Sequence, residues 1–187
     1  MQTIWYLIDT VASLLAAACL LRGYMNWLGQ GARDPLGQFL VAATDWLVRP
    51  LRRMLPRPGR FDWGSVLAAV LIAFLLALLY LIMFGGGRIP MFGLAVLLAA
   101  FSIVKWILYL IMGLVLFGAI LSWVNPYAPI RPIVDVLTRP FLMPLRRVIP
   151  LIGGVDLSPL VVLIIAQALL YWLDSSARPS LFILGHS

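Results

Sequence analysis

The 187-residue sequence contains no glutamate, one lysine, one histidine and one cysteine. The single cysteine, Cys19, excludes an intramolecular disulfide and a thiolate metal cluster built by one chain. The only histidine, His186, is the penultimate residue, so we expect neither a Ser-His-Asp set nor a histidine metal site. A glycine loop of the kind that cradles phosphates is also missing. We therefore expect no enzymatic activity, no metal and no cofactor.

Charged residues of both signs are scarce, at 11% of the chain, whereas hydrophobic residues make up 63% and the mean hydropathy is +1.03. A soluble chain of this length has too little interior to bury so much apolar surface, which predicts an integral membrane protein. The net charge of +7 comes from arginines placed between apolar runs. This placement favours anionic lipid headgroups as partners and argues against nucleic acid.

Four apolar segments are long enough to cross a bilayer, which takes about 20 residues per helix. They are residues 4–21, extending as far as residue 27, and residues 64–84, about 106–123 and 157–173. The stretch 91–124 is too long for one straight span, and Lys105 and Trp106 are residue types that favour the interface. We expect an interruption there, with residues 91–104 re-entrant, interfacial or a helical extension. A fifth span is the alternative.

The arginines predict the orientation of these spans. Most of them fall between the first two spans or between the last two, whereas the other side receives only Arg88, Arg178 and, at most, Lys105. The positive-inside rule therefore places both arginine-rich loops in the cytoplasm and both termini outside. A fifth span would put one of these loops outside, which favours four.

A motif of two arginines flanked by prolines occurs twice, at residues 50–56 and 144–150, 94 residues apart (144 − 50). The same offset relates Pro35 to Pro129, Thr44 to Thr138 and Asp62 to Asp156. Such a register predicts two copies of one unit. The predicted fold is all-α: a polytopic α-helical membrane protein of two tandem two-span hairpins with interfacial amphipathic helices. The expected divisions are a first repeat (1–84), a connector (85–104), a second repeat (105–175) and a C-terminal tail (176–187).

Each arginine-rich loop starts with apolar residues spaced three and four apart. Such a stripe predicts a short helix lying in the headgroup plane with its apolar face down. The first stripe is Leu36, Phe39, Leu40, Ala43, Trp46 and Leu47, and the second is Ile130, Ile133, Val134, Leu137 and Phe141.

The prolines of the motif are expected to bend the chain around each arginine pair, because proline lacks an amide donor and disfavours helix in the residue before it. These prolines are Pro50, Pro56, Pro144 and Pro150. Guanidinium groups bind phosphate bidentately, so the arginines are candidate contacts to lipid headgroups or to an acidic protein surface. The alternative is that they only set topology. The candidates are Arg52, Arg53, Arg146, Arg147 and Arg139.

Two aspartates, Asp62 and Asp156, follow the motifs at equal distances and open the second span of each repeat. A carboxylate at this position accepts unpaired amide protons and complements the positive end of a helix. We therefore interpret both as helix caps, which is compatible with pairing to the upstream arginines.

The second repeat contains Leu121-Ser122-Trp123-Val124-Asn125-Pro126, Leu137-Thr138-Arg139-Pro140, the motif at 144–150, and then Ile152-Gly153-Gly154-Val155-Asp156-Leu157-Ser158-Pro159. These segments resemble the YggT family of bacterial integral membrane proteins, which is related to YlmG proteins and their plastid homologues. The first repeat matches loosely, with Asp45-Trp46 in place of Arg139-Pro140 and residues 58–60 in place of Gly153-Gly154.

This resemblance implies a bacterial integral membrane protein with no catalysis, and the positive-inside rule predicts the inner membrane with periplasmic termini. It also implies links to osmotic and cation tolerance, to envelope or division genes and, in plastids, to assembly of a haem-bearing cytochrome. We expect a scaffold or assembly factor for an envelope complex, with a membrane-protein partner or a second copy of the chain. The alternative is an ion channel or carrier in cation or osmotic homeostasis.

Overall fold

The computed structural model describes residues 2–31, 34–55, 61–84, 91–147 and 156–182, and over these ranges the regular structure is helical with no strand. The helices are α1 Gln2–Trp27, α2 Pro35–Met54, α3 Trp63–Phe84, α4 Met91–Val124, α5 Arg131–Arg146 and α6 Ser158–Phe182. The all-α class is confirmed.

Four of these helices are long and apolar enough to cross a membrane. They contain Thr3–Trp27, Trp63–Phe84, Phe92–Val124 and Ser158–Ser176. The prediction of a polytopic helical membrane protein is confirmed. The two remaining helices, α2 and α5, each follow one span and precede the next in the chain.

Of the alternatives for residues 91–104, the structure shows the helical extension, because α4 continues through Lys105 and Trp106 without the expected interruption. Trp106 is only 8% exposed and belongs to the core around α3 instead of facing an interface. Lys105 lies near enough to Asp9 of α1 for their charges to interact. Residues 91–104 therefore belong to α4 and extend the third span towards its N-terminus.

The chain divides into two compact units, the first ending at Ile107 and the second covering Leu108–Phe182. In the first unit α1 packs along α3 through small side chains. Ala16 and Cys19 of α1 and Ala69 and Ala73 of α3 are fully buried. Small residues let two helices approach closely, so the hairpin closes along its length.

A core cluster of the second unit combines one residue from each of α4, α5 and α6: Val115, Leu142 and Val162. On α4, a Cβ added at Gly118 would lie 3.2 Å from Cγ1 of Val134, so the glycine allows α5 to approach α4 closely.

The amphipathic character of α2 and α5 arises from buried residues at three- and four-residue spacing. The buried positions are Gly37, Leu40, Thr44 and Val48 in α2, and Val134, Leu137, Thr138 and Leu142 in α5. The predicted stripe of α2 is divided: Leu40 is buried, whereas Phe39 and Trp46 are 68% and 66% exposed. Hydropathy alone missed the inner face because glycine and threonine contribute to it.

The structure differs from the expected bends before the arginine pairs. Pro50 lies inside α2, and Pro140 and Pro144 lie inside α5. All three prolines are exposed, so the carbonyl that each leaves without its helical partner is on the accessible side. The arginine pairs therefore occupy helix ends and not a loop. Pro56 and Pro150 lie outside the described residues.

Candidate functional site

An arginine at the end of each amphipathic helix pairs with the aspartate ten residues later, just before the next span. In the first unit Arg52 Nε donates to Asp62 Oδ1 at 3.0 Å, and Arg52 Nη2 donates to the other oxygen. In the second, Arg146 Nε donates to Asp156 Oδ2 at 2.7 Å. The two guanidiniums thus tie the end of α2 to α3 and the end of α5 to α6.

The same aspartates accept hydrogen bonds at the start of the next helix. Ser65 donates its backbone N–H to Asp62 Oδ1 at 3.4 Å and its hydroxyl to Asp62 Oδ2 at 2.7 Å. Ser158 donates its backbone N–H to Asp156 Oδ1 at 2.9 Å. Each carboxylate thereby joins an arginine to the amide donors that an α-helix leaves unpaired at its N-terminus.

Burial distinguishes the two pairs. In the first pair the Asp62 side chain is 0% exposed and the Arg52 side chain is 35% exposed. In the second pair the Asp156 side chain is 27% exposed and the Arg146 side chain is 57% exposed. Burial alone would raise the pKa of Asp62, but hydrogen bonds from Arg52 and Ser65 and the charge of Arg52 outweigh it and lower the pKa. Burial, opposed by hydrogen bonds from Ser158 and Arg146, likewise leaves the pKa of Asp156 below its ordinary value.

A third arginine, Arg22 of α1, joins the first pair. Its side chain is 6% exposed. Nη1 donates to Thr44 Oγ1 at 2.9 Å and Nη2 donates to Asp45 Oδ1 at 3.0 Å, while Nε lies 3.8 Å from Asp62 Oδ2. Sequence reasoning missed this residue as a site, although a charged residue at the end of an apolar run was the signal available.

Among the described residues of the second unit no arginine takes the place of this third one, and Leu116 stands in the repeat register of Arg22 (22 + 94 = 116). Gly118 of α4 lies against Thr138, the repeat equivalent of Thr44, with its Cβ position 3.7 Å from Thr138 Cγ2. Arg139 replaces Asp45 in the repeat register. The side chain of Arg139 is exposed and makes no ion pair with a described residue.

The predicted binding arginines therefore fall into two groups. Arg52 and Arg146 are tied to aspartates. The side chains of Arg53, Arg139 and Arg147 are exposed, and no described carboxylate forms an ion pair with them. Across the described ranges, no cluster of three or more His, Cys, Asp or Glu side chains is placed to hold a metal ion.

The family model described as CCB3/YggT matches residues 1–83 and 97–177. The chain belongs to the CCB3/YggT family. Each matched segment of this CCB3/YggT chain contains one amphipathic helix and one of the Arg–Asp pairs.

Three curated CCB3/YggT relatives are each described only as uncharacterised. YggT of Escherichia coli strain K12 is 35% identical over 167 residues, covering 88% of this chain and 86% of the relative. A Vibrio alginolyticus protein is 33% identical over 165 residues, covering 88% and 89%. One from Pseudomonas aeruginosa strain PAO1 is 33% identical over 157 residues, covering 83% and 80%. No solved structure matches the chain.

Replacement of Gly64 by alanine tests the close contact beneath the first pair. Alanine favours helix over glycine by about 1 kcal/mol, but its Cβ would lie 2.6 Å from Arg52 Cγ and 3.4 Å from Asp62 Oδ1. We expect Gly64→Ala to lower the thermal unfolding temperature in detergent. The control is Gly113→Ala in α4, where no atom lies within 4 Å of the new Cβ. Equal unfolding temperatures for the two variants would contradict the account.

Loss of one carboxylate charge should lower the free energy of unfolding much more in the first unit than in the second. Asp62→Asn leaves Arg52 and Arg22 beside a neutral, fully buried amide, and we expect a loss of about 3 kcal/mol in the free energy of unfolding, at the lower end for a broken buried pair because Arg52 stays partly exposed. Asp156→Asn removes a more exposed pair and should cost less than about 1 kcal/mol. Unfolding titrations with dodecyl sulfate in mixed micelles measure both. The reverse order would refute the assignment.

The lowered pKa of both aspartates predicts a direction for the dependence of stability on pH. A depressed folded-state pKa stabilises the fold above the unfolded carboxyl pKa, about 4, and this contribution is lost as pH falls through the folded value. The unfolding temperature should therefore decrease as the pH is lowered below about 4. This decrease should be less steep in Asp62→Asn than in the parent protein. An unchanged acid slope in the variant would show that Asp62 does not carry the effect.

Proposed function

We propose that the protein is a non-enzymatic scaffold or assembly factor of the bacterial inner membrane, which presents arginines to anionic lipid headgroups or to a partner on the cytoplasmic side. One observation carries this proposal: in both units one arginine of the pair is tied to an aspartate while its neighbour is exposed. Arg52 holds the helix end that presents Arg53, and Arg146 holds the one that presents Arg147.

The paired arginine reduces the freedom of the exposed one. Arg53 and Arg147 directly follow the anchored residues at the ends of α2 and α5. Their Cα positions are therefore fixed relative to the adjoining span, and only side-chain freedom remains to be lost on binding. A guanidinium held in this way suits bidentate recognition of phosphate or carboxylate.

Aromatic side chains support a position at the membrane interface. Trp46 on α2 and Trp63 at the start of α3 are 66% and 58% exposed, and the Trp63 ring packs 4.7 Å from that of Phe61. Tryptophan is enriched at headgroup level, where each nearby cation adds about 1 kcal/mol of attraction to an anionic leaflet. Exposed arginines at this level are within reach of lipid phosphates.

The positive-inside rule supports the cytoplasmic placement of both arginine-rich ends, with periplasmic termini. Membership of the CCB3/YggT family supports a role in the bacterial envelope without naming a partner. A protein partner would be an acidic surface or a second copy of the chain. Its carboxylates would bind the arginines in place of the lipid phosphates.

The double variant Arg53→Gln with Arg147→Gln tests this role. Its retention of anionic phosphatidylglycerol, counted by native mass spectrometry after extraction, should fall several-fold while the unfolding temperature stays within about 2 °C, because neither residue holds a described carboxylate. The control is Arg131→Gln, whose guanidinium is already neutralised by Asp135 at 3.5 Å. Retention unchanged in the double variant, or reduced equally in the control, would contradict the lipid contact.

A photoreactive residue at Met54 separates the two classes of partner in native membranes. Met54 is 83% exposed and adjoins Arg53, and Tyr127, at 94% exposed, is a control position that is at least as accessible. Adducts with one protein at Met54 alone would favour a protein partner, and lipid adducts would favour headgroups. Cation flux through proteoliposomes, with no site-specific adduct, would instead support the channel or carrier alternative.

A further inference from the structure

The first unit contains a cavity of about 240 Å³ lined by charged groups of both signs. It lies between the end of α1, the length of α2 and the start of α3, where two spans reach the headgroup level. Its polar lining is supplied by Arg22, Asn26, Asp45, Arg52 and Asp62. These two guanidiniums and two carboxylates have no net charge.

One buried donor facing these groups has no acceptor. Nε of Arg22 makes no hydrogen bond, although its side chain is only 6% exposed and buried donors are normally paired. The nearest carboxylate cannot supply one, because the oxygens of Asp62 already accept four hydrogen bonds, two from Arg52 and two from Ser65. An ionised carboxylate has about four lone-pair sites. A bound group, either a ligand or a water, at the cavity that Arg22 lines is the remaining source of an acceptor.

An unused acceptor stands beside this donor. One oxygen of Asp45 accepts from Arg22 Nη2, and no described residue donates to its other oxygen. The Asp45 side chain is 39% exposed, so a bound group can reach it. A positive donor and a negative acceptor on neighbouring side chains complement a ligand that carries both charges.

We propose that this cavity binds a phosphoethanolamine headgroup, with a phosphate oxygen accepting from Arg22 and the ammonium group donating to Asp45. At about 240 Å³ the cavity has room for a small headgroup. The inference rests on the proposed interfacial role but uses residues other than the exposed arginines. It gives the first repeat a selectivity for a zwitterionic lipid.

The second repeat lacks this site. In the repeat register Leu116 and Arg139 stand where the first repeat has Arg22 and Asp45 (22 + 94 = 116), so both the buried donor and the anionic acceptor are missing there. The exposed Arg139 that remains favours an anionic headgroup instead. The two repeats therefore recognise different lipid charges.

Native mass spectrometry of the full chain, titrated with lipids of identical acyl chains, tests the proposal. Phosphatidylcholine is the matched ligand, because it has the same phosphate but a quaternary ammonium without N–H donors. We expect phosphatidylethanolamine to bind about tenfold more tightly, the size of one charged hydrogen bond. Asp45→Asn should abolish this difference, whereas Asp135→Asn on α5 should preserve it. Because Asp45 also supports Arg22, the unfolding temperature and phosphatidylglycerol retention of each variant report on folding.

Equal affinity for the two zwitterionic lipids, or a preference that survives in Asp45→Asn, would overturn the proposal and leave a cavity filled by water alone. Equal loss of phosphatidylethanolamine and phosphatidylglycerol binding in Asp45→Asn at unchanged unfolding temperature would also overturn it, by showing a contact that does not depend on the ammonium group. Competition by soluble glycerophosphoethanolamine would support the headgroup chemistry. It would identify a free metabolite as the source of the bound phosphoethanolamine group. Failure here leaves the effect of Arg53→Gln with Arg147→Gln intact, so the two proposals fail separately.

Discussion

A carboxylate at the start of a membrane span has to be neutralised, because an unpaired charge at the edge of the hydrocarbon is costly. The protein meets this constraint twice in the same way, with a guanidinium ten residues upstream at the end of an amphipathic helix. The carboxylate caps the span, the guanidinium neutralises the carboxylate, and the amphipathic helix is thereby held to the span. This contact also fixes the position of the exposed arginine that follows each paired one.

The two units apply this contact differently. In the first, Arg22 adds bonds to Thr44 and Asp45, so the aspartate is fully buried and α1, α2 and α3 form one polar network. In the second, Gly118 lets α5 approach α4 directly and the pair stays in partial contact with solvent. The first unit is thus built around buried charge, and the second presents more of its cations. This difference between the units is the basis of the proposal that the two repeats bind different headgroups.

Much of the architecture could be predicted from sequence because membrane spans are long apolar runs and the repeat register is visible in Pro50, Thr44 and Asp62. Pairing of Asp62 with an upstream arginine was compatible with that register, but choosing Arg52 over Arg53 required the geometry of the helix end. Arg22 was missed because its partners lie on another helix, more than 20 residues away. The helical extension of residues 91–104 was one of three alternatives, and the sequence could not decide between them because Trp106 is a residue type of the interface, whereas its packing against the core decides its position.

The central claim is that Arg52 and Asp62 stabilise the fold together and not separately, and a double-mutant cycle measures this directly. Arg52→Gln, Asp62→Asn and the double variant are compared by their free energies of unfolding in mixed micelles. We predict a coupling free energy of at least about 1.5 kcal/mol, the scale of charged hydrogen bonds in one network. Additive effects of the two substitutions, with coupling near zero, would contradict the account.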